Sequence, residues 1–159
     1  MNMRGIVVAL HFASTGAAIM QSRDQVQAVA GRGLEGDRYF SGLGTYSRNP
    51  GSGRHVTFVE IEAIEALKRE YGVEIDPGQT RRNIVTREVA LNHLVDREFV
   101  VGRVRLRGMR LCEPCAHLER LTMPGALRGL IHRGGLRAEI LTNGTICIGD
   151  EIVPDGASR

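Results

Sequence analysis

Short apolar runs, broken every few residues by glycine, proline or asparagine, dominate the chain, and one stretch stands out for helical spacing. Arg4–Phe12 reads as a buried strand on the run Ile6, Val7, Val8 and Leu10. Residues 13–24 are small and polar and read as loop. Val26–Ala30, just ahead of Gly31, reads as a second, weaker strand. Residues 41–54 form a long loop dense in turn formers, and such loops inside compact domains usually carry function or lack order. His55–Val59 reads as a strand feeding directly into a helix over Glu60–Tyr71. Ile61, Ile64 and Leu67 form its apolar stripe, Glu60 and Glu62 suit the positive N-terminus, Lys68 and Arg69 suit the other end, and Gly72 stops it.

Beyond the helix, Asp76-Pro77-Gly78 reads as a turn and Arg82–Thr86 as a strand. Glu98–Val101 and Val104–Leu111 alternate apolar and polar positions around Gly102, which predicts two strands and a tight bend. Pro124–Ile131 has the proline placement of a short helix. Arg137–Leu141, Ile146–Ile148 and Glu151–Val153 close the pattern as strands, with Asn143-Gly144 as a hairpin signal between the first two. The pattern therefore predicts a mainly β, barrel-like fold with two or three short helices. It is one domain over residues 1–154, followed by a polar tail, 155–159, expected to fray.

Composition narrows the class. A chain of 159 residues suits one domain and buries about 70% of its unfolded surface without staples. No apolar run approaches the roughly 18 residues of a spanning helix, and the start lacks a signal-peptide pattern. The expected location is the cytoplasm with no membrane partner, where the three cysteines stay as thiols without a disulfide. Net charge is +3, and Lys68 is the single lysine among 21 basic residues. Such arginine usage fits either bidentate phosphate and carboxylate partners or a GC-rich genome. The arginines are scattered and only 4% of residues are aromatic, which argues against nucleic acid.

Three segments carry candidate chemistry. In Gly108–Leu118, Cys112 and Cys115 close a predicted strand, and Pro114 fixes its own backbone and removes a donor, so Cys115 is expected on a stiff turn. With Arg105, Arg107 and Arg110 upstream, its thiolate is a candidate soft ligand or nucleophile. The C-x-x-C pair also fits a redox pair, half of a zinc site completed from His117, His132 or Cys147, or two inert core thiols. Cys147 itself reads as core. In Gly33–Arg38, flanking glycines permit close backbone approach while Asp37 and Arg38 orient or bind a ligand, or else form a local ion pair in a tight turn. In Thr80–Val85, Arg82 and Asn83 offer a donor fork and an amide to an anionic heterocycle, and Arg81 reads as solvent-facing. The five histidines form no catalytic or zinc spacing.

Taken in order, these segments resemble the MOSC domain family, named for the C-terminal part of molybdenum-cofactor sulfurase, in its small stand-alone bacterial form. The resemblance runs through GRGLEGDR (31–38), HVTFVEIEAIEAL (55–67), RRNIV (81–85), FVVG (99–102), LCEPCAHL (111–118), RGGLRAEIL (133–141) and IGDEI (148–152). The pattern departs at Tyr39 and Phe40, where many members have histidine, and residues 13–24 lack a lysine often found in cofactor-binding relatives. The resemblance implies a β-barrel-like fold and a molybdenum-pterin cofactor. It also implies Cys115 as the thiolate ligand of molybdenum and catalytic residue, with Asp37, Arg38, Arg82 and Asn83 as cofactor-binding residues in one concavity. It implies an oxidoreductase acting on N-hydroxylated compounds with a separate electron-donor protein. A sulfur carrier using a Cys115 persulfide and a sulfur-donor protein, and a non-enzymatic binding module, remain as alternatives.

Overall fold

Eleven strands and three helices form among the described residues, 3–48 and 53–156 of a computed structural model. Seven strands close into a barrel: β1 (Gly5–Phe12), β5 (Val56–Glu60), β6 (Ile84–Arg87), β7 (Glu98–Val101), β8 (Val104–Leu111), β9 (Leu136–Ile140) and β11 (Glu151–Pro154). Around the ring the order is β11-β7-β8-β9-β5-β6-β1, and pairing of Gly5 with Ile152 closes it. Closure leaves no long barrel edge open to another chain. A short strand, β2 (Gln21–Arg23), adds to β1 outside the ring, while β3 (Gln25–Val29), β4 (Gly33–Leu34) and β10 (Gly144–Cys147) make a separate small sheet. The mainly β barrel expected from the pattern is the fold found.

The helix predicted over 60–71 forms as α1 (Ile61–Tyr71), and Gly72, at φ 65°, ends it by donating to the carbonyls of Leu67 and Lys68. β5 and β6 are the one parallel barrel pair, which requires a crossover, and α1 lies within that connection. β5 is therefore buried on both faces. Phe58 points into the barrel and meets Phe99 edge-to-face at 5.6 Å. Val59 instead joins Ile64, Leu67, Leu118 and Leu130 in a second cluster beneath α1. Alternation on β9 sends Leu136, Ala138 and Ile140 inward.

Tertiary pairing corrects several local expectations. Asn143-Gly144 does not join a hairpin: β9 pairs with β5 and β8, whereas β10 pairs with β3. Asn143 instead uses its side-chain oxygen to accept the Ala30 N–H at 2.7 Å. Residues 13–24 contain β2, invisible to periodicity because all three of its residues are exposed. The Asp76 turn continues as a 3-10 helix over Pro77–Thr80 with reciprocal Asp76 and Gln79 caps. Cys147 is partly exposed at the end of β10 rather than core. At the head of the predicted tail, the Asp155 carboxylate accepts from Arg105 and its N–H donates to the Glu98 carbonyl. Residues 157–159 of the predicted tail lie outside the described residues, as do 49–52 of the long loop. Among the described residues, no helix is long and apolar enough to cross a membrane.

One close approach matters for the site. Gly135, at φ 115°, immediately precedes β9 where a Cβ would lie 1.8 Å from the Phe58 carbonyl oxygen, so only glycine lets β9 dock there. Its neighbour Gly134 presents its carbonyl to Arg82.

Candidate functional site

β8 ends at Leu111, and the Cys112 N–H donates to the Gly135 carbonyl at 2.7 Å. Pro114 contributes no donor, and Cys115 follows as the extended N-cap of a short helix, α2 (Ala116–Leu121). The expected stiff turn is thus also a helix start, a feature the sequence pattern did not reveal. Cys112 is buried at 1% exposure, whereas Cys115 is partly exposed, and both are free thiols. The pair differs in access, which sets Cys115 apart as the reactive member.

Burial alone pushes the Cys115 thiol pKa up, but the net direction is down. The backbone N–H groups of Leu118 and His117 favour the thiolate without closing a full capping hydrogen bond. The Tyr46 hydroxyl, 3.6 Å from Sγ, and the Arg82 guanidinium add to this. The charge acting on the thiol is that of Arg82 rather than of Arg105, which is turned to Glu98 and Asp155.

Cys115 opens into a concavity of about 50 Å³ whose wall includes Arg38, Arg82, Arg137, Tyr46 and His117. Of the five residues singled out in the sequence, Cys115, Arg38 and Arg82 share this wall; Asp37 and Asn83 lie outside it. Asp37, 1% exposed, accepts from the Ala13 and Tyr39 N–H groups and from Arg38 Nη1 at 3.1 Å, so it orients Arg38. Asn83, 2% exposed, accepts from the Thr57 N–H and hydroxyl at 3.1 Å and donates to the His11 carbonyl, tying β1, β5 and β6 together. Arg82 donates to the carbonyls of Gly134, Thr80 and Cys112, which pins the cysteine turn to the barrel. Arg81 is not solvent-facing: at φ 61° it turns back to donate to the Gly16 and Ala18 carbonyls.

Arg81 also lines a neighbouring cavity of about 620 Å³, together with His11, Met20, Gln79 and Leu121. Burial lowers the His11 pKa, and its buried Nδ1 has no hydrogen-bond partner among the described residues. The unpartnered ring nitrogen and the volume, within the usual range of small-molecule sites, make this cavity fit for a heterocyclic ligand. Tyr46 was hidden in the long loop 41–54, whose length was its only signal. Arg137 lay in a predicted strand and had none. No group of three or more metal-capable side chains gathers among the described residues, so Cys112 and Cys115 lack the companions of a closed zinc site.

The family model for the MOSC domain matches residues 45–153. This chain belongs to the MOSC domain family. Solved structures carry the same fold. The YuaD protein from Bacillus subtilis is 19% identical, with 94% of each chain covered and a TM-score of 0.79. YiiM from Escherichia coli is 17% identical over 99% of this chain and 71% of its own, with a TM-score of 0.68. YiiM from Geobacillus stearothermophilus is 15% identical over 96% and 74%, with a TM-score of 0.66. No curated protein matches the chain.

Proposed function

We propose that this MOSC domain binds a molybdenum-bearing pterin cofactor and acts as an oxidoreductase on N-hydroxylated compounds, supplied with electrons by a separate protein. The observation that carries the reading is the partly exposed Cys115 thiol, lowered in pKa, in a cationic concavity whose wall shares Arg81 with the 620 Å³ cavity. A thiolate is a soft donor suited to such a metal. The choice of N-hydroxylated substrates rests on the family resemblance.

When bound, the cofactor supplies a two-electron redox centre. The chain's residues do the rest. Cys115 gives one thiolate, Arg82 holds its turn in place and favours the charged form, and Tyr46 donates a hydrogen bond to the sulfur. His11 and Arg81 face the cavity that fits the heterocycle. Asp37 and Asn83 act behind the wall, fixing Arg38 and the strand ends.

A sulfur-carrier reading is favoured by the same accessible, acidified thiol. There, Cys115 would accept a sulfur atom from a donor protein's persulfide, returning that donor to a thiol, and pass it on. Metal analysis of protein purified from cells making the cofactor separates the two. Molybdenum that co-purifies with wild type and Cys112→Ser but not with Cys115→Ser supports cofactor binding. Absence of molybdenum together with one extra sulfur on Cys115 by intact-mass measurement moves the reading to sulfur transfer.

A further inference from the structure

We infer that Arg54, Arg110 and Arg137 form an oxyanion site at the mouth of the Cys115 concavity, taking the phosphate, sulfonate or carboxylate group of the substrate that reacts there. Arg110 on β8 and Arg137 on β9 are direct partners across the antiparallel ladder. Like charges placed opposite one another in a sheet destabilise it. Among the described residues, no ion pair reaches any of the three. Burial, then the neighbouring charges of Arg137 and Arg54, lower the pKa of Arg110. Among the described residues the buried Nε of Arg54 has no hydrogen-bond partner, leaving a donor for a ligand or water to satisfy.

Contacts lead from this cluster to the thiol. Gly53 packs over the strands so closely that a Cβ there would lie 3.1 Å from Cβ of Arg137. Arg54 lies over the Tyr46 ring at 5.4 Å, and Tyr46 reaches Cys115 Sγ at 3.6 Å. Arg137 itself shares the concavity wall with Cys115. The other guanidinium groups nearby differ in kind. Arg38, Arg81 and Arg82 are committed to carbonyl oxygens and Asp37, so they hold structure, whereas the cluster keeps its donors free for an arriving anion. Glu113, the carboxylate in the concavity wall, is turned to the His132 backbone and ring. Arg137 lines the Cys115 concavity and not the 620 Å³ cavity, which puts the anion at the thiol end of the site, away from the group filling that cavity.

This inference rests on Cys115 marking the reaction site, and its test needs no molybdenum. The thiolate displaces iodide from either iodoacetate or iodoacetamide, which differ chiefly in charge. In metal-free wild type, the iodoacetate-to-iodoacetamide rate ratio at Cys115 should exceed that of a free thiol such as N-acetylcysteine about three- to tenfold through steering. Inorganic phosphate at constant ionic strength should slow iodoacetate alone. Arg110→Gln and Arg137→Gln should each lower the ratio toward the free-thiol value, the iodoacetamide rate of each variant serving as its own reference. A wild-type ratio equal to the free thiol, or one indifferent to both variants, overturns the proposal. Calorimetry of inorganic phosphate decides the source of the anion. Binding retained in molybdenum-loaded protein supports a substrate site, and binding abolished by loading overturns it in favour of a cofactor phosphate. Should no molybdenum co-purify while the charge-dependent ratio persists, the cofactor reading fails and the anion site stands.

Discussion

Replacing Asp37 by asparagine keeps the side chain's size but removes its charge at a point with no solvent access. Asp37 has 0% side-chain exposure and its partner Arg38 7%, and their 3.1 Å contact is supported by two backbone N–H donors on the same carboxylate. In Asp37→Asn, Oδ1 still accepts from Ala13 and Arg38, but an NH₂ group replaces the oxygen that faced the Tyr39 N–H. The variant therefore sets two donors against each other and strands a buried guanidinium. Breaking one side of a buried pair costs about 3–5 kcal/mol, and the retained oxygen places this case near the lower end, about 3 kcal/mol. That is a large share of the roughly 5–15 kcal/mol stability of an ordinary domain. With a urea m-value of about 2 kcal/mol/M, the midpoint should fall by about 1.5 M. Far-UV circular dichroism during urea titration reads this directly, since the chain has no tryptophan. Removing both charges, as in Asp37→Leu with Arg38→Met, should cost less than the sum of the single changes by about 2 kcal/mol. A midpoint within about 0.3 M of wild type, or additive single effects, would refute the argument that this pair holds the site wall.

Alkylation by iodoacetamide near neutral pH should modify Cys115 before Cys147 and well before buried Cys112, as read by peptide mass spectrometry; equal rates would return Cys115 to an ordinary thiol. Because the Cys115 pKa is lowered, its reactivity should persist below the usual thiol range and fall only as pH drops through the lowered value. Tyr46→Phe, lacking the donor to sulfur, should slow alkylation at pH 7 about threefold. Burial lowers the His55 pKa, and its Nδ1 accepts the Ile140 N–H at 3.0 Å, so the native state prefers neutral imidazole. The unfolded chain then binds more protons, so stability should decline as pH falls below the ordinary imidazole value of 6.5, and His55→Gln should flatten that slope in urea midpoints at pH 7.5 and 5.5. Gly135→Ala, driven against the Phe58 carbonyl at a positive φ, should cost about 3 kcal/mol or more, and an unchanged thermal midpoint would contradict the close approach.

The barrel class, α1 with its glycine stop and most barrel strands were legible because period and punctuation are local properties of the chain. Alternation in Glu98–Val101 and Val104–Leu111, and the polar-ended stripe of α1, fix local conformation wherever the element later packs. Partner choice is not local. Asn143-Gly144 carries a hairpin signal, yet β10 pairs with β3, because barrel closure gives β9 both of its neighbours in β5 and β8. The same division runs through the site. The residue types at Cys115, Arg38 and Arg82 announced chemistry, but sequence spacing could not show that Arg82 spends its donors on three carbonyls or that Asp37 and Asn83 stand behind the wall. Tyr46 reaches the thiol from a loop and Arg137 reaches its concavity from a strand, both distant in sequence, and they meet there only once the barrel has closed. The sequence by itself determined what each segment can form and which groups it carries; the tertiary structure decided which of those groups meet, because the distances that govern hydrogen bonds and charge are set by packing between segments.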